Sequence, residues 1–185
     1  MMKKFLISLY IVPILFLSCN QENTEKQQYF PVYDFLTQQL NQLDSIPIAI
    51  LKFHNEDNKT DTSIVDKKEF RKIVNGLLLS TLKDAEAMNN YHEEVIEDVQ
   101  LNDIAITYTT ENKSNPITKI ELHISPTTTL LKSLYVERSE EIDAIQIKRK
   151  ILWTTGKQLL VASTYYSKDI QPKNIIERFN WELPN

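Results

Sequence analysis

Apolar side chains recur along this chain at two spacings, and the change from one to the other divides it. Tyr29, Tyr33, Leu36, Leu40 and Leu43 return every three to four positions, the repeat of one helical face. With Pro31 where a first helical turn tolerates it, the spacing predicts a helix over 30–44. The run "IPIAILKFH", Ile46 to His54, is continuously apolar and of strand length. It is followed by "NEDNK" and then "TDTSIV", Thr60 to Val65, which together read as a hairpin. In "DKKEFRKIVNGLLLS", Asp66 and Glu69 stand at the spacing of a capping box. Phe70, Ile73, Val74, Leu77 and Leu78 then share one face, predicting a second helix over 67–80. Residues 81–98 follow neither period and read as a loop that can hold a short helix.

From Val99 the period becomes two. Ile104, Ile106 and Tyr108 alternate, as do Ile120, Leu122 and Ile124 beyond the turn "NKSNP". Further strands are expected over Leu130–Arg138, Ala144–Trp153, Leu159–Ser167 and Ile175–Leu183. Connections as short as "TTGK", Thr154–Lys157, favour an antiparallel meander, because parallel crossovers need about a dozen residues or more. The expected fold class is α+β: two helices packed on a twisted, mainly antiparallel meander sheet of about six to eight strands.

The first twenty residues obey neither rule. Lys3 and Lys4 precede an apolar run, Phe5 to Leu17, that carries Pro13 and ends at Cys19. The run is shorter than the roughly 20 residues a spanning helix needs. A basic start, a short apolar stretch and a small residue before the cut are the layout of an export signal. "FLSC", Phe16 to Cys19, resembles the lipobox of bacterial lipoproteins, with Ser18 before a cysteine that is lipidated and becomes the new N-terminus. The resemblance implies a signal peptide over 1–18, lipid attachment at Cys19 and membrane anchoring through several acyl chains, which hold far better than one. Asn20 after the cysteine implies, by the sorting rules of that family, the outer membrane. Cys19 is the only cysteine, so an exported chain has no internal disulfide to form with it. The polar stretch Asn20 to Gln28 reads as a tether of about 15–20 Å, leaving 29–185 as a single domain beside a bilayer. The lipobox, the tether and "KILWTTGKQLLVASTYY", Lys150 to Tyr166, together resemble the small lipoproteins of Bacteroidetes, a likeness that implies a cell-envelope location and no particular activity.

Composition narrows the partners. The whole chain has a formal charge of -4; cleavage before Cys19 removes Lys3 and Lys4, leaving 19 basic against 25 acidic side chains and a charge of -6. That balance argues against nucleic acid, whose binders carry a basic surface; "KRK" at 148–150 falls in a strand pattern and reads as its outward face. Only Gly76 and Gly156 are glycine, which excludes phosphate-cradling loops and dinucleotide folds. No cofactor is expected.

Candidate chemistry is thin. His54, His92 and His123 lack the paired spacing of a zinc site, and the loop His54–Asp61 lacks the glycine and terminal glutamate of a calcium loop, so no metal is expected. No serine stands in a hydrolase elbow, and the carboxylates Glu93, Glu94, Glu97, Asp98, Glu140, Glu141 and Asp143 read as solvated segments; no catalytic residue is assigned. Aromatic residues on the meander are the one ligand signal. Tyr135, Trp153, Tyr165 and Trp181 are candidate ligand-binding residues if a sheet face other than the helix-covered one is apolar. The expected function is therefore a membrane-anchored, non-catalytic module binding an envelope protein or component. A carrier of an apolar ligand in a groove of the sheet is the alternative, and a hydrolase of envelope polymers a weaker one.

Overall fold

Helical and strand periods separate in space as they do in sequence. The structure, a computed structural model, describes residues 30–57, 59–83, 90–168 and 170–181; Cys19, the lipobox and the tether lie outside them. Helix α1 (Val32–Ser45) buries Val32, Leu36, Leu40 and Leu43; the three leucines are as predicted, Val32 rather than the half-buried Tyr33 completes the stripe, and Tyr29 lies outside the described residues. Helix α2 (Lys67–Val74) starts at Asp66, whose carboxylate accepts the Glu69 amide at 2.9 Å, one half of the expected capping box. α2 continues through a π-helical turn (Asn75–Leu79) into a last α turn (Ser80–Leu82). Arg71 of α2 reaches Asp44 and Asn41 of α1, tying the two helices together.

Among the described residues, nine antiparallel strands form one open sheet: β1 (Ile50–Glu56), β2 (Lys59–Val65), β3 (His92–Asp98), β4 (Asp103–Thr109), β5 (Ile117–Ile124), β6 (Leu131–Ile142), β7 (Ile145–Thr154), β8 (Gln158–Tyr166) and β9 (Lys173–Asn180). Their order is β2-β1-β9-β8-β7-β6-β5-β4-β3. The expected meander from Val99 onward is present, with the first hairpin added beside β9 and with β2 and β3 as free edges. Nine strands exceed the six to eight expected. The extra one is β3, inside the stretch read as loop: Val95 and Ile96 are adjacent, so no alternation is visible, and carboxylates occupy most other positions. The phenol of Tyr91, just before β3, donates to the Ile117 carbonyl at 2.5 Å, and burial pushes its pKa up to about 12. β1 starts at Ile50 rather than Ile46, because the residue before Pro47 is held extended outside the ladder. The first hairpin turns at Asp57, where φ is 49°.

One face of the sheet meets the helices. Trp153 of β7, Phe179 of β9, Trp181 and Phe70 of α2 form an aromatic cluster: Phe70 lies 6.3 Å from Trp153, 5.4 Å from Phe179 and 5.1 Å from Trp181 between ring centroids. Trp153 and Trp181 are 5.1 Å apart. Trp153 is 1% and Trp181 4% exposed. Leu134, Val136, Ile120, Leu122, Ile151, Leu159 and Val161 extend this core along β5 to β8. The opposite face carries Lys119, Glu121, His123, Glu137, Lys148 and Lys150, all half-buried or exposed.

Candidate functional site

The helix-facing side of the sheet is apolar at one end of its strands and charged at the other. Registers align Leu134 with Trp153, Leu159 and Phe179, and one step along align Val136 with Ile151, Val161 and Glu177. The next row is Arg138, Arg149 and Ser163, and the one after holds Glu140, Ile147 and Tyr165. Strand alternation therefore points two arginines, two glutamates and a serine the same way as the core.

These charges are paired yet poorly hydrated. Glu140 accepts from Arg138 at 2.8 and 3.1 Å and is bonded by Arg149 as well; the three side chains are 19%, 13% and 15% exposed. Burial holds the Arg138 guanidinium below its ordinary pKa. Glu177 bonds Lys52 at 2.7 Å and lies 3.5 Å from His54. Such a triad adds little stability, since losing water from each ion offsets the attraction between them.

The π-helical turn fits over this block. The Ser80 amide bonds the Asn75 carbonyl five residues back, breaking the regular ladder. The Gly76 and Leu77 carbonyls instead accept from Arg138 at 3.1 and 2.8 Å. π-helical turns concentrate at functional sites. Between the turn and strands β6–β9 lies a groove of about 490 Å³. Glu69, Lys72 and Gly76 line it from the helix; Glu140, Arg149, Ser163, Tyr165 and Glu177 line it from the sheet. A Cβ on Gly76 would meet nothing within 4 Å, so its lack of a side chain leaves the mouth open.

Two other concavities rank lower on physical grounds. A trough of about 780 Å³ between the helices is walled mostly by exposed or half-buried side chains. A depression of about 290 Å³ on the open face, lined by Phe53, Leu160, Ile176 and Arg178, falls below the roughly 300–1,000 Å³ of sites for drug-sized ligands.

The four aromatic candidates do not converge. Trp153 and Trp181 belong to the buried cluster, because the helix-facing phase of β7 and the end of β9 needed large apolar side chains. Tyr135 lies on the other face, donating to Glu137 at 2.7 Å with the Lys119 ammonium 5.8 Å from its ring centre. Only Tyr165 reaches the groove. "KRK" also divides: Lys148 and Lys150 face outward as expected, whereas Arg149 turns inward to Glu140. Glu140, read as a solvated carboxylate, is instead 19% exposed and held by two arginines; Arg138, Ser163 and Glu177 went unassigned, and charges on the apolar phase of adjoining strands were the signal for the block.

A second distinctive surface is the free edge. Val95 and Ile96 of β3, pointing to opposite faces of the sheet, are each 56% exposed; Val99 and Leu101 in the β3–β4 turn are 82% and 73%, and Leu130 just before β6 is 66%. Glu93, Glu94, Glu97 and Asp98 surround the two β3 residues. The edge at β2 is Thr- and Ser-rich, with Ile64 its one exposed large aliphatic.

Histidines serve locally. His123 bonds Asp103 at 2.6 Å and Glu121 at 3.0 Å, and His54 lies 3.3 Å from Glu56. Among the described residues no group of three or more His, Cys, Asp or Glu side chains is placed to hold a metal ion. Nor is any helix among them long and apolar enough to cross a membrane. No protein-family model matches this chain, no curated protein matches it, and no solved structure matches it.

Proposed function

We propose that this chain is a cell-envelope lipoprotein, anchored at a membrane through acylated Cys19, whose domain is a non-catalytic module that binds a protein partner along the β3 edge. The export signal, the lipobox and the polar tether support the anchoring; the outer membrane is the destination that Asn20 favours. The observation that carries the binding is Val95 and Ile96, each 56% exposed, one on either face of an edge strand that has no partner on its outer side among the described residues. A free edge offers backbone donors and acceptors to an added strand. The partner is an extended segment with basic and apolar side chains, complementary to Glu93, Glu94, Glu97 and Asp98 around Val95 and Ile96. A second copy of β3 is disfavoured, because pairing would set carboxylate against carboxylate.

The test uses the full chain in its envelope. Mass spectrometry should find Cys19 acylated, and Cys19→Ser should release the domain from membranes; equal membrane retention of the variant would refute anchoring. A photo-crosslinker at position 96 should give one discrete protein adduct that a crosslinker at position 64 does not. Identical adducts at both edges, or none at 96, would refute binding along β3.

A further inference from the structure

We infer that the groove beside the π-helical turn is a binding site for a small zwitterion, an amino acid or dipeptide held by both its carboxylate and its ammonium group. Ser163 carries the argument furthest. It is 6% exposed, lines the groove, and its hydroxyl makes no hydrogen bond among the described residues. The hydroxyl is open to the groove rather than sealed in the core, where it can donate to a ligand oxygen.

Its register neighbour supplies the charge. Arg149 pairs with Ser163 across β7 and β8 and bonds Glu140 through Nη1, leaving its remaining N–H groups for a carboxylate, which a guanidinium grips well. Lys72 adds a cation from the helix side. On the other flank Glu177 sits diagonally from Ser163 across β8 and β9, a separation of about 7–8 Å. That short span lets one small ligand touch the Ser163 hydroxyl and the Glu177 carboxylate at once. Val161, Ile73 and Leu77 give the groove an apolar floor for a small aliphatic side chain. The volume of about 490 Å³ suits such a ligand and excludes a long chain lying wholly inside. A lining with both signs of charge suits neither a pure anion nor a pure cation.

The site is independent of the β3 edge, so either reading can fail alone. Isothermal titration of the full-length protein in detergent micelles with alanyl-alanine, lysyl-alanine and glutamyl-alanine tests it. Each is run beside its C-terminal amide and its N-acetyl form. At least one free dipeptide should bind saturably, and blocking either terminus should weaken it about tenfold or more. Ser163→Leu, which fills the groove without removing a charge, should abolish binding. Arg149→Lys should weaken it while keeping the fold, and serves if the leucine variant does not fold. Absence of saturable binding up to about 10 mM, equal affinity for blocked and free dipeptides, or unchanged affinity in both variants would overturn the assignment.

Discussion

The two ends of the sheet's helix-facing side are made from the same strands and the same alternation, yet they are built to opposite rules. One end stacks Phe70, Trp153, Phe179 and Trp181 into a closed cluster with centroid distances of 5.1–6.3 Å. The other, one or two register steps away, holds Arg138, Glu140 and Arg149 in a shared ion triad. Burial of aromatic area stabilises strongly and without direction; desolvated ions add little net stability but demand specific partners. The contrast teaches that the first end holds the fold and the second contributes little net stability to it.

The comparison sharpens most under truncation of each end. Phe70→Ala should cost about 3–5 kcal/mol in urea unfolding, through lost aromatic burial and the cavity left beneath α2. Glu140→Ala should cost nearly as much, about 3 kcal/mol, because it strands two guanidinium groups in poorly hydrated positions. Equal losses from opposite mechanisms separate by conservative change: Phe70→Leu should recover most of its loss, whereas Glu140→Gln should recover little.

Smaller effects follow at the groove mouth and on the far face. Gly76→Ala should raise stability by up to about 1 kcal/mol, since alanine restricts the unfolded chain and favours helix and its Cβ meets open space. A loss instead would mean that the π-helical turn needs glycine. Titration of the far face is the smallest effect. Burial pulls the His123 imidazole down, but its hydrogen bonds to Asp103 and Glu121 outweigh that and raise its pKa. The hydrogen bond from His123, with help from Lys132, lowers Asp103, and Lys119 followed by His123 lowers Glu121. The histidine's contribution is complete below its unfolded value of about 6.5 and fades as pH rises through the higher folded value. The carboxylates contribute above their unfolded values and fail as pH falls through the lowered folded ones. Unfolding midpoints should therefore decline as pH rises above about 6.5, and His123→Asn should flatten that slope.

How legible was this in sequence? α1, α2 and the strands from β4 onward were visible because Leu36, Leu40 and Leu43, or Ile120, Leu122 and Ile124, mark one face by spacing alone. β3 was not, because an acidic edge strand with Val95 beside Ile96 shows no alternation. The groove escaped for a different reason. Arg149 between two lysines looks like part of one cluster until alternation sends it inward, and its meeting with Glu140 and Ser163 depends on registers across three strands. Trp153 and Trp181 were misleading because an aromatic on a strand marks core and ligand site alike; only the arrival of Phe70 from α2 distinguishes them.

The central claim, that the charged end contributes little to stability, is tested most directly by urea unfolding of the triple variant Arg138→Met, Glu140→Leu, Arg149→Met. The Gly76 and Leu77 carbonyls that Arg138 releases belong to an exposed and a half-buried residue at the mouth of the groove and can bond water, so unfolding free energy should equal or exceed that of the parent. A fall of about 3 kcal/mol or more would contradict the claim and make the triad a structural element of the fold.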